Sequence, residues 1–314
     1  MNSIFLFVGK SGQGKRISQL VGKLGLPIKI EFVSTANFLD LKEKSLNRFR
    51  AIFIVNRDSD HERSLRHLAQ ADYCGFIFLE KPIFISPNYL EFLESFDASR
   101  TYVNLPSKFT SLYQILQDKV RDPKLGELLH SRLEMSYGIF HKNELHSNWR
   151  FDSESNPSGV LSTLGIHYVH LFRNLIGPIK HSYISTAISS DAKEAPGILT
   201  GEICLNFEDS IASILLSYQS PYQFSMKLTF SNALLEVTDS SIELWYPRDT
   251  FDELGLFARP PMAEHLDLKT LDWEVANEAS VSFFIEHVLS STDFPADDWE
   301  IAKAVNRIVC VQKR

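Results

Sequence analysis

Short unbroken apolar runs alternate, through the first hundred residues, with stretches whose apolar positions recur every three or four residues. Residues 4–8, 28–33, 51–55, 76–79 and 101–105 read as strands, and the runs at 4–8, 51–55 and 76–79 are of the kind buried on both faces. Between them, Ile17, Leu20, Val21 and Leu24, and later Leu65, Leu68 and Ala69, recur at helical spacing; Asp60 stands where the second of these helices needs an N-cap, and a further helix is predicted near residues 88–96. Strands alternating with helices of about ten residues predict βαβ units and a parallel sheet.

The second half is patterned differently. A strand is predicted over residues 128–140 after Gly126-Glu127, then a polar stretch over 141–152 and a helix over 159–176. Six apolar or alternating runs follow at 181–188, 201–207, 211–218, 224–230, 233–237 and 242–246, split by turn signals such as Glu208-Asp209 and Asp239-Ser240. Residues 251–270, with Pro260-Pro261, read as a long loop, and helices over 273–289 and 297–312 close the chain. The expected fold is an α/β Rossmann-type doubly wound domain over residues 1–106, then an α+β domain with a largely antiparallel open sheet over 107–314, whose last helix is free to pack back on the first domain.

Composition narrows the partners. A chain of 314 residues, 44% hydrophobic and 23% charged, has material for two ordinary globular domains. Its net charge of −7 argues against general nucleic-acid or anionic-membrane binding. Three scattered cysteines make no metal-ligand spacing and suit a reducing cytoplasm, and no apolar run reaches the roughly 18 residues of a membrane span. The chain is therefore expected to be cytoplasmic, without nucleic-acid or membrane partners and without a metal.

Candidate chemistry sits at the strand ends. The first strand runs into Gly9-Lys10-Ser11-Gly12-Gln13-Gly14-Lys15 before a helix, the context of a phosphate-binding turn. Gly9, Gly14 and Lys15 fit a Walker A loop, but Arg16 stands where its magnesium-binding hydroxyl belongs. The dinucleotide fingerprint keeps Gly9 and Gly14 and has Ser11 at its middle glycine, with Gly12 beside it. The second strand ends at Ser34-Thr35-Ala36-Asn37, where an NAD-preferring domain usually has an acid; none is present, and Lys10, Lys15 and Arg16 add positive charge, so the reading between NAD and NADP leans to NADP. Asn56 follows the third strand, and Glu80-Lys81-Pro82 the fourth, where proline forces the chain to turn. On the helix over 159–176, Thr163, His167, His170 and Asn174 share a polar line, which serves either a wet cleft or core hydrogen bonds. Trp149 and Arg150 precede that helix, types that stack on sugar faces and hold anions, or equally pack in a surface loop.

The ordered set of glycine loop, strand–loop–His61, Glu80-Lys81-Pro82, and the glycine-started helix through Gly159, Gly165 and His167 resembles the glucose–fructose oxidoreductase / inositol dehydrogenase / MocA (Gfo/Idh/MocA) family. The resemblance implies an NAD(P)-dependent oxidoreductase that moves a hydride between nicotinamide and a sugar or nucleotide-sugar carbon. It implies Lys81 and His167 as the catalytic pair and places Gly9, Ser11, Gly12, Gln13, Gly14, Ser34, Thr35, Asn56, Glu80 and Lys81 at the cofactor. Trp149, Arg150, Thr163 and His170 fall to the substrate, and a homodimer or homotetramer forms through the open sheet face. The chain departs from the family at Thr163, where an Asp is usual, and at His170, where a second acid is expected. These departures keep a second expectation open, a non-catalytic relative that binds a ligand or partner.

Overall fold

The computed structural model describes residues 3–10, 12–86, 90–142, 149–187, 197–248, 251–269 and 271–310, with Leu90 and Ser95 described by their backbone alone. In chain order the elements are β1 (Ser3–Val8), α1 (Gly12–Lys23), β2 (Ile28–Val33), α2 (Thr35–Leu39), α3 (Glu43–Leu46), β3 (Ala51–Ile54), α4 (His61–Gln70), β4 (Phe76–Glu80), α5 (Leu90–Ser95) and β5 (Thr101–Asn104). Then come α6 (Ser111–Arg121), β6 (Leu128–Ser136), α7 (Ile166–Ile176), β7 (His181–Ala187), β8 (Thr200–Asn206), β9 (Ile211–Ser217), β10 (Gln223–Phe230), β11 (Leu234–Thr238), β12 (Ser241–Trp245), β13 (Met262–Asp267), α8 (Trp273–Ser290) and α9 (Ala296–Val309). They divide into two compact units: Met1–Pro106 with Glu154–Ser158 and Asn277–Arg314, and Ser107–Ser153 with Gly159–Ala276.

The first unit is a five-stranded parallel sheet in the order β2-β1-β3-β4-β5. From β1 the chain goes to one side, then returns to the other, so the ends of β1 and β3 flank a topological switch point. Ligands of open α/β sheets sit beyond the carboxyl ends of the strands at such a point. Register organises the core: Phe32, Phe7, Phe53, Phe78 and Tyr102 stand opposite one another on five successive strands. The rings of Phe7 and Phe53 stack at 4.2 Å and those of Phe53 and Phe78 at 5.0 Å, while Phe284 of α8 meets both edge-on at 5.1 and 5.2 Å. Each such pair contributes about 0.5–1.5 kcal/mol beyond the area it buries.

The second unit is an eight-stranded sheet in the order β13-β12-β11-β10-β6-β9-β8-β7, antiparallel except where β6 pairs β9. Ala212, Ile214 and Leu216 of β9 and Ile203 and Leu205 of β8 are buried, while Ile211 and Leu215 alternate to the other face and are exposed. Here the pattern of one covered and one open face, expected from the sequence, is observed.

Four local expectations are corrected. Residues 251–270 are not all loop: β13 pairs with β12, and its six residues are all exposed, so no buried face marked it in the sequence. The strand predicted over 128–140 stops at Ser136, and Gly138–His141 form a 3-10 turn that buries Phe140. Asp60 occupies the N-cap position of α4 but makes no capping bond with its side chain. A preceding 3-10 turn leaves it at φ −100, ψ −9 rather than in the extended conformation that aims a cap at the first N–H groups. The helix predicted over 159–176 is not uniform either. Leu161–Gly165 form a π-helical turn before α7, which breaks the regular spacing that put Thr163 and His167 on one line.

Candidate functional site

In the first unit the site begins where β1 ends. Gly9 has φ +108, and a Cβ there would lie 2.8 Å from Asn56 Cα, so only glycine lets the exit of β1 press against the exit of β3. Gly9 N–H donates to Val33 O at 2.9 Å, which ties the loop to the end of β2 as well. At Gly12, the first residue of α1, an added Cβ would meet nothing within 4 Å, and the first turn of this helix has no acidic residue. The N–H groups and dipole of a helix N-terminus favour an anion. Gly14 is buried in the same turn, and Ser11 lies outside the described residues.

Gln13, in that turn, donates from Nε2 to Glu80 Oε1 at 3.2 Å. Glu80 closes β4 and is buried; the same oxygen accepts from Asn104 Nδ2 at 2.7 Å. Ser280 Oγ donates to Asn104 Oδ1 at 2.8 Å and lies 2.6 Å from the Tyr102 hydroxyl, whose pKa burial raises well above its ordinary value. A buried carboxyl group thus stands behind the glycine loop, held by two amide donors. Lys81 follows it, half-buried, and precedes a cis peptide to Pro82.

At the end of β2, Ser34 Oγ accepts from Asn37 N–H at 3.2 Å as the cap of α2. Thr35 Oγ1 accepts from Asn56 Nδ2 at 3.2 Å, and the same amide donates to Ser64 Oγ at 3.0 Å. Both hydroxyls at this turn accept from the protein and keep their own protons to donate.

In the second unit, the glycine-started helix lies directly on the sheet. A Cβ on Gly165 would come within 2.8 Å of Leu216 Cδ1 and 3.0 Å of Ile203 Cδ1. Thr163 is buried; its hydroxyl donates to Gly159 O at 2.9 Å and is also bonded to the Tyr218 hydroxyl. His170 is buried with Nδ1 2.6 Å from Ser107 Oγ. Burial, helped by the charges of Lys108 and Arg173, pushes its pKa down to about 3, so it stays neutral at ordinary pH. His167 is half-exposed, its ring 5.2 Å from that of Trp273. Trp149 is 39% exposed on a 3-10 turn, and the Arg150 guanidinium lies 4.9 Å from its ring.

Of the expected residues, the structure joins Gln13 to Glu80 and Thr35 to Asn56 by hydrogen bonds, and Trp149 to Arg150 by a cation–π contact. Thr163 and His170 go to separate partners, Tyr218 and Ser107. Lys81 belongs to the first unit and His167 to the second. Sequence reading missed Asn104, Ser107, Tyr218 and Ser280, polar positions whose partners lie 24 to 178 residues away. No group of three His, Cys, Asp or Glu among the described residues is placed to hold a metal, and none of their helices is long and apolar enough to cross a membrane.

A parallel sheet with a glycine loop at its switch point, followed by an open mixed sheet, defines a two-domain fold whose first unit is Rossmann-type. Residues 113–236 match the family described as the GFO/IDH/MocA C-terminal domain. Levoglucosan dehydrogenase, solved with NADH and levoglucosan, superposes with a TM-score of 0.74 at 13% identity, over 98% of this chain and 96% of that one. An inositol dehydrogenase homologue complexed with NAD+ from Azotobacter vinelandii gives 0.70 at 15% identity, over 98% and 95%. An NAD-binding oxidoreductase from Klebsiella pneumoniae gives 0.74 at 13% identity, over 98% and 95%. No curated protein sequence matches the chain. Residues 113–236 therefore belong to the Gfo/Idh/MocA family as its C-terminal domain, and the whole chain has the family's two-domain fold.

Proposed function

We propose that this protein is an NAD(P)-dependent oxidoreductase that transfers a hydride between nicotinamide and the hydroxyl or keto carbon of a sugar or nucleotide-sugar. The observation that carries this reading is the arrangement at the switch point. A glycine pressed against the exit of β3, the N-terminus of α1, and Glu80 at the end of β4 meet there, Gln13 and Glu80 by a hydrogen bond, with Lys81 next in the chain. Levoglucosan dehydrogenase and the inositol dehydrogenase homologue, solved with NADH and with NAD+, support it by their common fold.

The residues present fit a dinucleotide. Gly9 supplies close approach, and the N-terminus of α1, starting at Gly12, supplies N–H donors for the pyrophosphate. At the end of β2, Ser34 and Thr35 offer hydroxyl donors and no carboxylate, which favours a 2′-phosphate and supports NADP over NAD. The bound nicotinamide would supply the hydride acceptor or donor. Lys81 then polarises the substrate oxygen with its ammonium, and His167 exchanges the hydroxyl proton, a task an imidazole suits near neutral pH. His170, neutral and tied to Ser107, is the weaker base and serves by holding the helix. Trp149 and Arg150 are assigned to the substrate. The open sheet face with Ile211, Leu215 and Tyr183 is assigned to a homodimer or homotetramer.

A second reading, a ligand- or partner-binding relative without turnover, draws on Thr163: its hydroxyl is spent on Gly159 and Tyr218 where a carboxylate is usual. Thermal unfolding with NAD, NADH, NADP, NADPH and ATP separates the two. A ligand at a hundred times its dissociation constant stabilises the fold by about 2.7 kcal/mol. A shift with a nicotinamide, followed by sugar turnover that Lys81→Ala lowers by about 10²–10³-fold, supports the enzyme. No shift with any nicotinamide, or turnover untouched in Lys81→Ala, rules out this mechanism.

A further inference from the structure

We propose that Asn306, on the last helix, and His61, at the start of α4, are positioning residues for Lys81; this rests on the role given to Lys81 above. The chain leaves β4 at Glu80 and passes through Pro82, Ile83 and Phe84, all buried. This segment belongs to no helix or strand, so no ladder satisfies its backbone. Three of its polar groups, on successive residues, are taken instead by side chains remote in sequence. Pro82 O lies 2.6 Å from His61 Nδ1. A carbonyl only accepts, so Nδ1 carries the proton and donates. Ile83 N–H donates to Asn306 Oδ1 at 2.7 Å, and Asn306 Nδ2 donates to Phe84 O at 3.0 Å. Cys310, one turn further along, donates from Sγ to the same carbonyl at 3.0 Å.

Both gripping residues are fully buried, at 0% exposure, and each comes from a different helix. One amide satisfies a donor and an acceptor on adjacent residues, a geometry that admits a single backbone path. Lys81 is the half-buried residue immediately before the gripped segment, so the direction of its side chain is inherited from that path. Buried backbone groups need partners in any case; here two side chains from different helices supply them on three groups, which fixes the orientation of the segment as well. A displacement of about 1 Å at a reacting group costs up to about 10²-fold in rate, which is the scale at which such a clamp matters.

The test uses the full-length protein and two readouts. Asn306→Asp keeps the acceptor for Ile83 N–H and gives up the donor to Phe84 O. His61→Leu removes the donor to Pro82 O, and His61→Asn restores an amide N–H near the position of Nδ1. The first readout, labelling of Lys81 by an amine-reactive reagent followed by peptide mass spectrometry, needs no turnover. Asn306→Asp and His61→Leu are expected to change the labelling rate of Lys81 by roughly threefold or more, with exposed Lys44 unchanged and His61→Asn close to wild type. The second readout is the kinetic split: kcat falls by about tenfold or more while the KM for the nicotinamide stays within about twofold. Wild-type labelling of Lys81 in folded Asn306→Asp and His61→Leu overturns the proposal, whatever happens to turnover. If Asn306→Asp does not fold, the His61 pair decides. If the wild-type protein turns over no nicotinamide, the functional reading fails, and labelling alone still decides whether the clamp orients Lys81.

Discussion

The Ser107 hydroxyl and His170 Nδ1 meet at 2.6 Å in the interior of the second unit, and burial holds the imidazole at about 3 against an ordinary 6.5. In the unfolded chain the same group titrates near 6.5, so between those values the unfolded state carries a proton that the folded state lacks. Stability therefore rises with pH across that window and is lost on acidification. Going from about pH 6.5 to about pH 4.5, this one residue is expected to remove about 2 kcal/mol. Urea unfolding of wild type and His170→Asn at the two pH values checks it: the variant should lose less stability by that amount, and equal losses would refute the assignment. The residue itself was legible as a polar position on a helix. Its state was not, because Ser107 lies 63 residues away and nothing local marks it as a partner.

Glycines at the ends of elements separate two kinds of requirement. Gly159, with φ +52, would place a Cβ 2.0 Å from Ile198 O, where the π-helical turn starts beneath the sheet. Gly12 opens α1 into free space. Gly159→Ala is expected to destabilise by about 1–3 kcal/mol or more, and Gly12→Ala to leave stability within about 0.5 kcal/mol. Thermal denaturation of the two variants decides between them; comparable melting temperatures would mean that the overlap at Gly159 relaxes away. The strands in both units were legible wherever burial imposed a period, two in the open sheet and a continuous apolar run in the parallel one. β13 escaped because all six of its residues are exposed and only backbone pairing with β12 makes it a strand. The π turn escaped because Leu161–Gly165 keep an ordinary helical composition, and the change of pitch arises where the turn meets Leu216 and Ile203 of the sheet.

The first unit depends on the end of the chain. Phe284 of α8 packs on the aromatic row of the parallel sheet, and Trp299, Val305 and Val309 of α9 are buried with Asn306. Deleting residues 296–314 is expected to abolish hydrogen-exchange protection in β4 and β5 and to leave that of β9 and β10 in place. Protection retained in β4 and β5 would show that the sheet stands without its last helix. At the same scale, the proposed assembly through the open sheet face predicts a sedimentation mass that is a multiple of 35.8 kDa, reduced to the monomer by Ile211→Glu with Leu215→Glu. A monomeric wild type at micromolar concentration would remove that proposal.

Taken by itself, the sequence determined the class of each half of the chain, the place of the glycine loop and the position of Lys81 at the end of a buried strand. These follow from short-range physics: period, side-chain size and the backbone limits of glycine and proline act within a few residues. What Glu80, Lys81, Thr163 and His170 are bonded to, or held in place by, was decided only by the tertiary structure. Asn104 reaches Glu80, Asn306 holds the turn after Lys81, Tyr218 takes the Thr163 hydroxyl, and Ser107 meets His170. A buried polar group must find a partner, but the partner's identity depends on which segments the sheet register and helix packing bring together, and no local pattern encodes that.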